Sequence, residues 1–213
     1  ESGEIVWQWH IWDHLIQDID PELPGYGVIS ENPQLMDINC GAIGNDGNYH
    51  DGANGDWMHI NSVHYNPILD QIVISSRLQD EIYIIDHSTS IEEVSGHTGG
   101  NSGKGGDFLY RWGNPENYGR GDESDHILGD QHSVNWIPAG YPGEGNLIIF
   151  NNFHENSTAN SAVIEIITPL EDVYYILSDG EPYGPETWHW KYICDFVNPQ
   201  QGGAFRLPNG NTL

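Results

Sequence analysis

The sequence predicts an all-β protein, a partial β-propeller of four-stranded antiparallel blades carrying loop and short-helix insertions. Three observations predict it. The 213 residues include 26 Gly, 12 Pro, 8 Trp and 11 Tyr, a composition of turns and aromatic strands rather than of helices. Short apolar runs are separated by turn signals. The order of those runs occurs twice and begins a third time, and four strands per repeat of about 40–50 residues describe a propeller blade. Residues 1–213 are therefore read as a single propeller unit of about two complete blades plus parts of two others.

The elements follow in order. At the start, Ile5, Trp7 and Trp9 alternate with Glu4, Val6 and Gln8, the pattern of a half-buried strand that closes a preceding copy. The insertion 10–55 holds "IWDHLIQ" and "NPQLMDI", each suited to a short helix, and ends in a loop rich in Gly, Asn and Asp. The first copy places strands at 59–65, 71–76 and 81–86, then a fourth within 107–113. Between the last two, "STSIEEVSG" offers a capping box of Ser90 and Glu93 with Gly96 closing a brief helix. The second copy places strands at 132–137, 146–151, 162–167 and 188–192. The third begins at "GGAFRLPNGNTL", where Pro208 and the Asn209-Gly210 turn stand where Pro67 and Pro138 stood. Both ends read as cut from something larger.

Charge and cysteine usage exclude several function classes. Six Lys and Arg against 32 Asp and Glu give a net charge of −26, which repels phosphate backbones and anionic membrane surfaces, so nucleic acid is not an expected partner. No run of eighteen apolar residues is present to span a membrane, and the opening residues lack the features of a signal peptide. Cys40 and Cys194 lack C-x-x-C spacing, which leaves a disulfide or two buried thiols. "NST" at 156–158 is a glycosylation sequon only in a eukaryotic setting. "GHTGGNSGKGGD" lacks G-K-[ST] and reads as a loop, and "DESD" reads as a solvated acidic run.

The candidate site comes from two histidines. In a propeller the first strand of each blade lines the central channel, and His59 and His132 open the first strands of successive copies. They are expected to approach each other near the axis. Arg77 ends the second strand of the same blade as His59. His64 has the wrong parity for that face, and His10, His14 and His189 belong among aromatic residues that favour packing. The only cofactor expectation is Ca²⁺ on the Asp46–Asp56 loop, through Asp46, Asp51 and Asp56, against an ordinary turn-rich loop.

The runs "DWMHINSVHYNP", "DQIVISSR", "DEIYIID", "GDFLYRWGNP", "DQHSVNWIP", "GNLIIFNN" and "RLPNGNTL" together resemble the bacterial arylsulfate sulfotransferases, PAPS-independent enzymes built on a six-bladed propeller. The resemblance implies a periplasmic or secreted protein with a small-molecule aryl sulfate donor and a phenolic acceptor. It implies a ping-pong reaction, in which a channel histidine takes the sulfuryl group from the aryl sulfate and passes it to the phenol. His59, His132 and Arg77 are the implied catalytic residues, and Asn61 and Asn152 the implied substrate-binding ones. The chain departs from the family where an arginine is usual: "FNNFHENS" has Asn152, His154 and Asn156 instead. Aligning Pro208 with Pro138 brings Gly202 to the place of His132, so the third copy supplies no histidine there. Two other readings stand beside this one: a non-catalytic binding or scaffold propeller, and a copper-dependent propeller oxidoreductase suggested by 11 His.

Overall fold

A computed structural model of the chain describes residues 3–40, 56–156 and 158–213. Two short parallel strands come first, β1 (Leu15–Ile16) and β2 (Met36–Asp37). The first four-stranded antiparallel sheet then runs β3 (Ile60–Asn66), β4 (Gln71–Ser76), β5 (Glu81–Asp86) and β6 (Tyr110–Trp112), in that spatial order. The second runs β7 (His132–Trp136), β8 (Leu147–Asn151), β9 (Ala162–Ile166) and finally β12 (Trp190–Ile193). A small hairpin, β10 (Leu170–Glu171) with β11 (Tyr174–Tyr175), fills the excursion before β12. The two blades read from sequence are present strand for strand.

Alternation along the middle strands explains why both blades form and why they stack. Val73, Ile82 and Ile84 of the first sheet meet Leu147, Ile149, Ile164 and Ile166 of the second in one core, with Trp112 and Trp136. The residues of opposite parity, Ile74, Tyr83 and Ile85, pack instead with Met36, Cys40 and Phe108, under partly buried Trp7, Trp9 and Trp57. On the far side, Ile148, Phe150 and Val163 pack with Cys194, at the end of the second blade, and with Ala204 of the third copy. Each central strand is buried on both faces, as expected where every blade is sandwiched between neighbours. The third copy forms the expected hairpin, with Phe205 and Leu213 exchanging backbone hydrogen bonds (3.0 and 2.9 Å) across the Asn209-Gly210 turn.

Four expectations on the decorations divide. The capping box at Ser90 and Glu93 starts helix α1 (Ile91–Val94) as read. Residues 3–9 are not a strand, although Trp7 and Trp9 do turn inward onto the core. "IWDHLIQ" supplies only a 3-10 turn at Ile11–His14 before β1. "NPQLMDI" supplies β2 and no helix, because Met36 is wholly buried between β1 and the first blade. Cys40 and Cys194 are both free thiols in separate cores. Burial pushes the Cys40 thiol up to about 12. Among the described residues no helix is long and apolar enough to cross a membrane.

Candidate functional site

The two inner strands, β3 and β7, lie side by side. Asn61 Nδ2 donates to the Gln131 carbonyl (2.7 Å), and the Val134 N–H donates to Ser62 Oγ (3.1 Å). Gln131 is fully buried, and its amide donates to Ser76 O and Glu81 O (2.9 Å each). That side chain ties the lead-in of β7 to the first blade.

The register corrects one expectation. Tyr65 pairs with Ile72 and Trp136 with Leu147, each two residues before a proline, so the hairpins match at that level. Counting back four residues, His132 falls level with Asn61. His59 lies two residues earlier, in the lead-in to β3, and the two histidines do not occupy equivalent positions. Both strands carry an irregularity at this end, between Ile60 and Ser62 and between His132 and Asn135. His59 (φ 50°), Asp130 (φ 51°) and Ser133 (φ 59°) all adopt left-handed backbone there. Such strain costs of order 1–3 kcal/mol per residue and concentrates at functional sites.

Main-chain and side-chain hydrogen bonds nevertheless connect the His59 backbone to the His132 ring. The Arg77 N–H donates to the His59 carbonyl (3.2 Å), and the Arg77 guanidinium holds the Asp130 carboxylate (2.5 Å). The Asp130 carbonyl lies 2.9 Å from His132 Nδ1, which also lies 2.9 Å from Asn152 Oδ1. The Asn152 amide has only one orientation that works, because its nitrogen donates to Asn198 O (2.8 Å) and Gln201 O (2.7 Å). His132 Nδ1 therefore faces two oxygens that can only accept, and it carries the proton. Nε2 is left with the lone pair, and among the described residues nothing hydrogen-bonds it.

His59 is oriented in a similar way from a different source: its Nδ1 lies 2.5 Å from Asp56 Oδ2. It lines a cleft of about 440 Å³ with Trp12, Trp57 and Met58, and His132 is not among the lining residues. Arg77 is buried and committed to Asp130. Asn61 Oδ1 is a buried acceptor without a hydrogen-bond partner among the described residues. In the third copy, Gly202 has φ 114°, and a Cβ there would stand 2.5 Å from the Phe150 ring. Phe150 fills the space that a side chain would need. His64 sits beside Trp136 on the apolar side of its blade, and burial lowers its pKa. The calcium loop lies outside the described residues except for Asp56, whose carboxylate is engaged by His59.

Asp130 and Gln131 escaped the sequence reading, and Asp56 figures there as a calcium ligand rather than as the partner of His59. A signal for both aspartates was present, since an aspartate precedes each histidine by two or three residues, in "DWMH" and "DQH".

These features define a propeller protein with histidine, asparagine and arginine gathered at the lead-in ends of adjacent inner strands. Residues 1–181 match the family model described as Arylsulfotransferase (ASST), and the chain belongs to that family. No curated protein matches it.

Proposed function

We propose that the site transfers a sulfuryl group from an aryl sulfate to a phenol through a sulfohistidine. His132 and His59 serve here as the groups that bind the reacting oxygens. In the first half-reaction a histidine nitrogen bonds to sulfur as the sulfur–oxygen bond to the aryl group breaks, and a phenolate leaves. In the second, the acceptor phenol loses its proton, its oxygen bonds to sulfur, and the nitrogen–sulfur bond breaks. Negative charge collects on the bridging oxygen in both halves, and an imidazole whose Nε2 presents a lone pair can accept the proton that the acceptor phenol loses. What carries this reading is the fixed tautomer of His132, whose Nδ1–H is held by Asp130 and Asn152 while Nε2 stays available.

The remaining residues take roles from their contacts. Arg77 acts through Asp130, which orients His132, and so positions rather than touches substrate. Asn61 Oδ1 offers a buried acceptor for a phenol hydroxyl. Trp12 and Trp57 beside His59 suit a flat aryl group. Because Gly202 stands at the His132 level of the third copy, the attacking histidine is not assigned to that position. A periplasmic or secreted setting belongs to the same reading and rests on the family alone.

The test is transfer from a nitrophenyl sulfate to a phenol by the intact protein, His59→Ala and His132→Ala. Removing a positioned general base costs about a hundredfold or more in kcat, and that loss is expected of each variant. Equal activity in all three overturns the site. An inactive intact protein favours the non-catalytic scaffold reading, to which the closed Gly202 position already lends support.

A further inference from the structure

A second cluster lies away from this site, on the outer side of the first blade. His14 comes from the 3-10 turn at Ile11–His14, His97 from the loop after α1, and Asp107 from the lead-in to β6. His14 Nδ1 lies 2.8 Å and His97 Nδ1 2.7 Å from the same oxygen, Asp107 Oδ1. The three ligand atoms all fall within 4.8 Å of one another. His14 is wholly buried and Asp107 nearly so, whereas His97 is exposed.

The hydrogen bonding of His14 decides what the cluster is for. Its Nε2 lies 2.9 Å from the Val94 carbonyl, which can only accept, so Nε2 carries a proton. In the neutral ring Nδ1 then presents a lone pair directly to a carboxylate oxygen, so that either a proton on Nδ1 or a metal ion must lie between the two. An imidazole whose far N–H donates to a backbone carbonyl is also the usual setting of a metal-bound histidine. The local backbone is shaped to keep that bond: a Cβ on Gly106 would stand 2.1 Å from Val94 O and 2.6 Å from His14 Nε2.

We propose that His14, His97 and Asp107 bind a divalent transition ion of the zinc class, with a fourth position open beside His97. Two imidazole nitrogens and one carboxylate oxygen suit such an ion at about 2.0–2.2 Å, which requires the ligand atoms to move apart slightly. His97 borders a largely apolar cavity of about 620 Å³, which gives the ion a way in. The bound ion staples the turn at Ile11–His14 and the glycine-rich loop onto the first blade. This site is independent of the proposed sulfuryl chemistry.

The test uses the untagged 213-residue chain, stripped with a chelator and titrated with Zn²⁺ or Co²⁺. One equivalent should bind, and X-ray absorption at the zinc edge should show two imidazoles and oxygen in the first coordination sphere. His97→Ala removes an exposed ligand and should weaken binding about tenfold or more, since even outer partners of metal ligands are worth 10–100-fold. His87→Ala, at a separate, half-buried His–Asp pair, should bind as the parent does. Failure of the parent chain to take up one ion, or undiminished binding by His97→Ala, overturns the proposal. If His97→Ala fails to fold, the absorption spectrum of the parent decides, and an ion with fewer than two imidazoles overturns it equally.

Discussion

Replacing Glu81 should be the most damaging polar change in the molecule. Glu81 and Arg111 are both fully buried, and the carboxylate receives four donors: Arg111 Nε (2.8 Å), Arg111 Nη2 (2.5 Å), Tyr83 OH (2.9 Å) and Asn117 Nδ2 (3.0 Å). Arg111 also donates to the Leu35 carbonyl (3.0 Å) and stacks 4.3 Å over the Tyr118 ring. Burial alone would lower the Arg111 pKa, but the Glu81 charge and hydrogen bonds outweigh it and hold the guanidinium above its ordinary value. Glu81→Gln turns one acceptor oxygen into an amide that faces donors and leaves the guanidinium without its counter-charge. Breaking a buried pair this way costs about 3–5 kcal/mol. In a chain of this size each kcal/mol moves Tm by about 2–4 °C, so a fall of roughly 6–20 °C is expected by calorimetry. Glu81→Leu combined with Arg111→Met removes both charges, and should cost less than the sum of the two single changes. A Glu81→Gln loss below about 1 kcal/mol, or strict additivity in the cycle, refutes the claim that the pair is desolvated and mutually dependent.

Three further outcomes follow from other contacts. Ser90→Ala deletes the side-chain acceptor for the Glu93 N–H and should cost about 1 kcal/mol by urea denaturation. Gly202→Ala meets both a positive φ and the Phe150 ring, and should destabilise by about 1–3 kcal/mol on the same measurement. Burial holds the His154 pKa below 6.5, with the Lys191 ammonium adding to the effect. As pH falls through 6.5 the unfolded chain gains a proton that folded His154 refuses, so stability present above that pH is lost below it. A Tm series from about pH 7.5 to 5 should therefore slope less on the acid side in His154→Gln than in the parent, and parallel curves would exclude that source.

The blades were legible because their residues obey a local rule. Val73 and Ile74, or Ile148 and Ile149, are neighbours that face different cores, and continuous apolar runs between turn residues report burial on both faces. The Ser90–Glu93 cap and the Asn209-Gly210 turn were legible for the same reason, since each is decided within four residues. The insertion was not. Whether "NPQLMDI" becomes helix or strand depends on where Met36 is buried, and its neighbours there, Tyr83 and Phe108, lie far along the chain.

The site shows a sharper limit. Sequence placed His59 and His132 together; the connection in the structure runs from the His59 main-chain carbonyl through Arg77 and Asp130 to the His132 ring, and each imidazole has its own separate partners. It could not place them in register, because each inner strand is irregular at its lead-in, and one inserted residue reverses the face of everything before it. The left-handed residues His59, Asp130 and Ser133 sit where that happens. The bulges thus accompany the unlike levels at which the two histidines fall. Regularising either lead-in would restore the simple alternation on which the sequence reading relied, and would swing His59 or His132 off the partners that orient it.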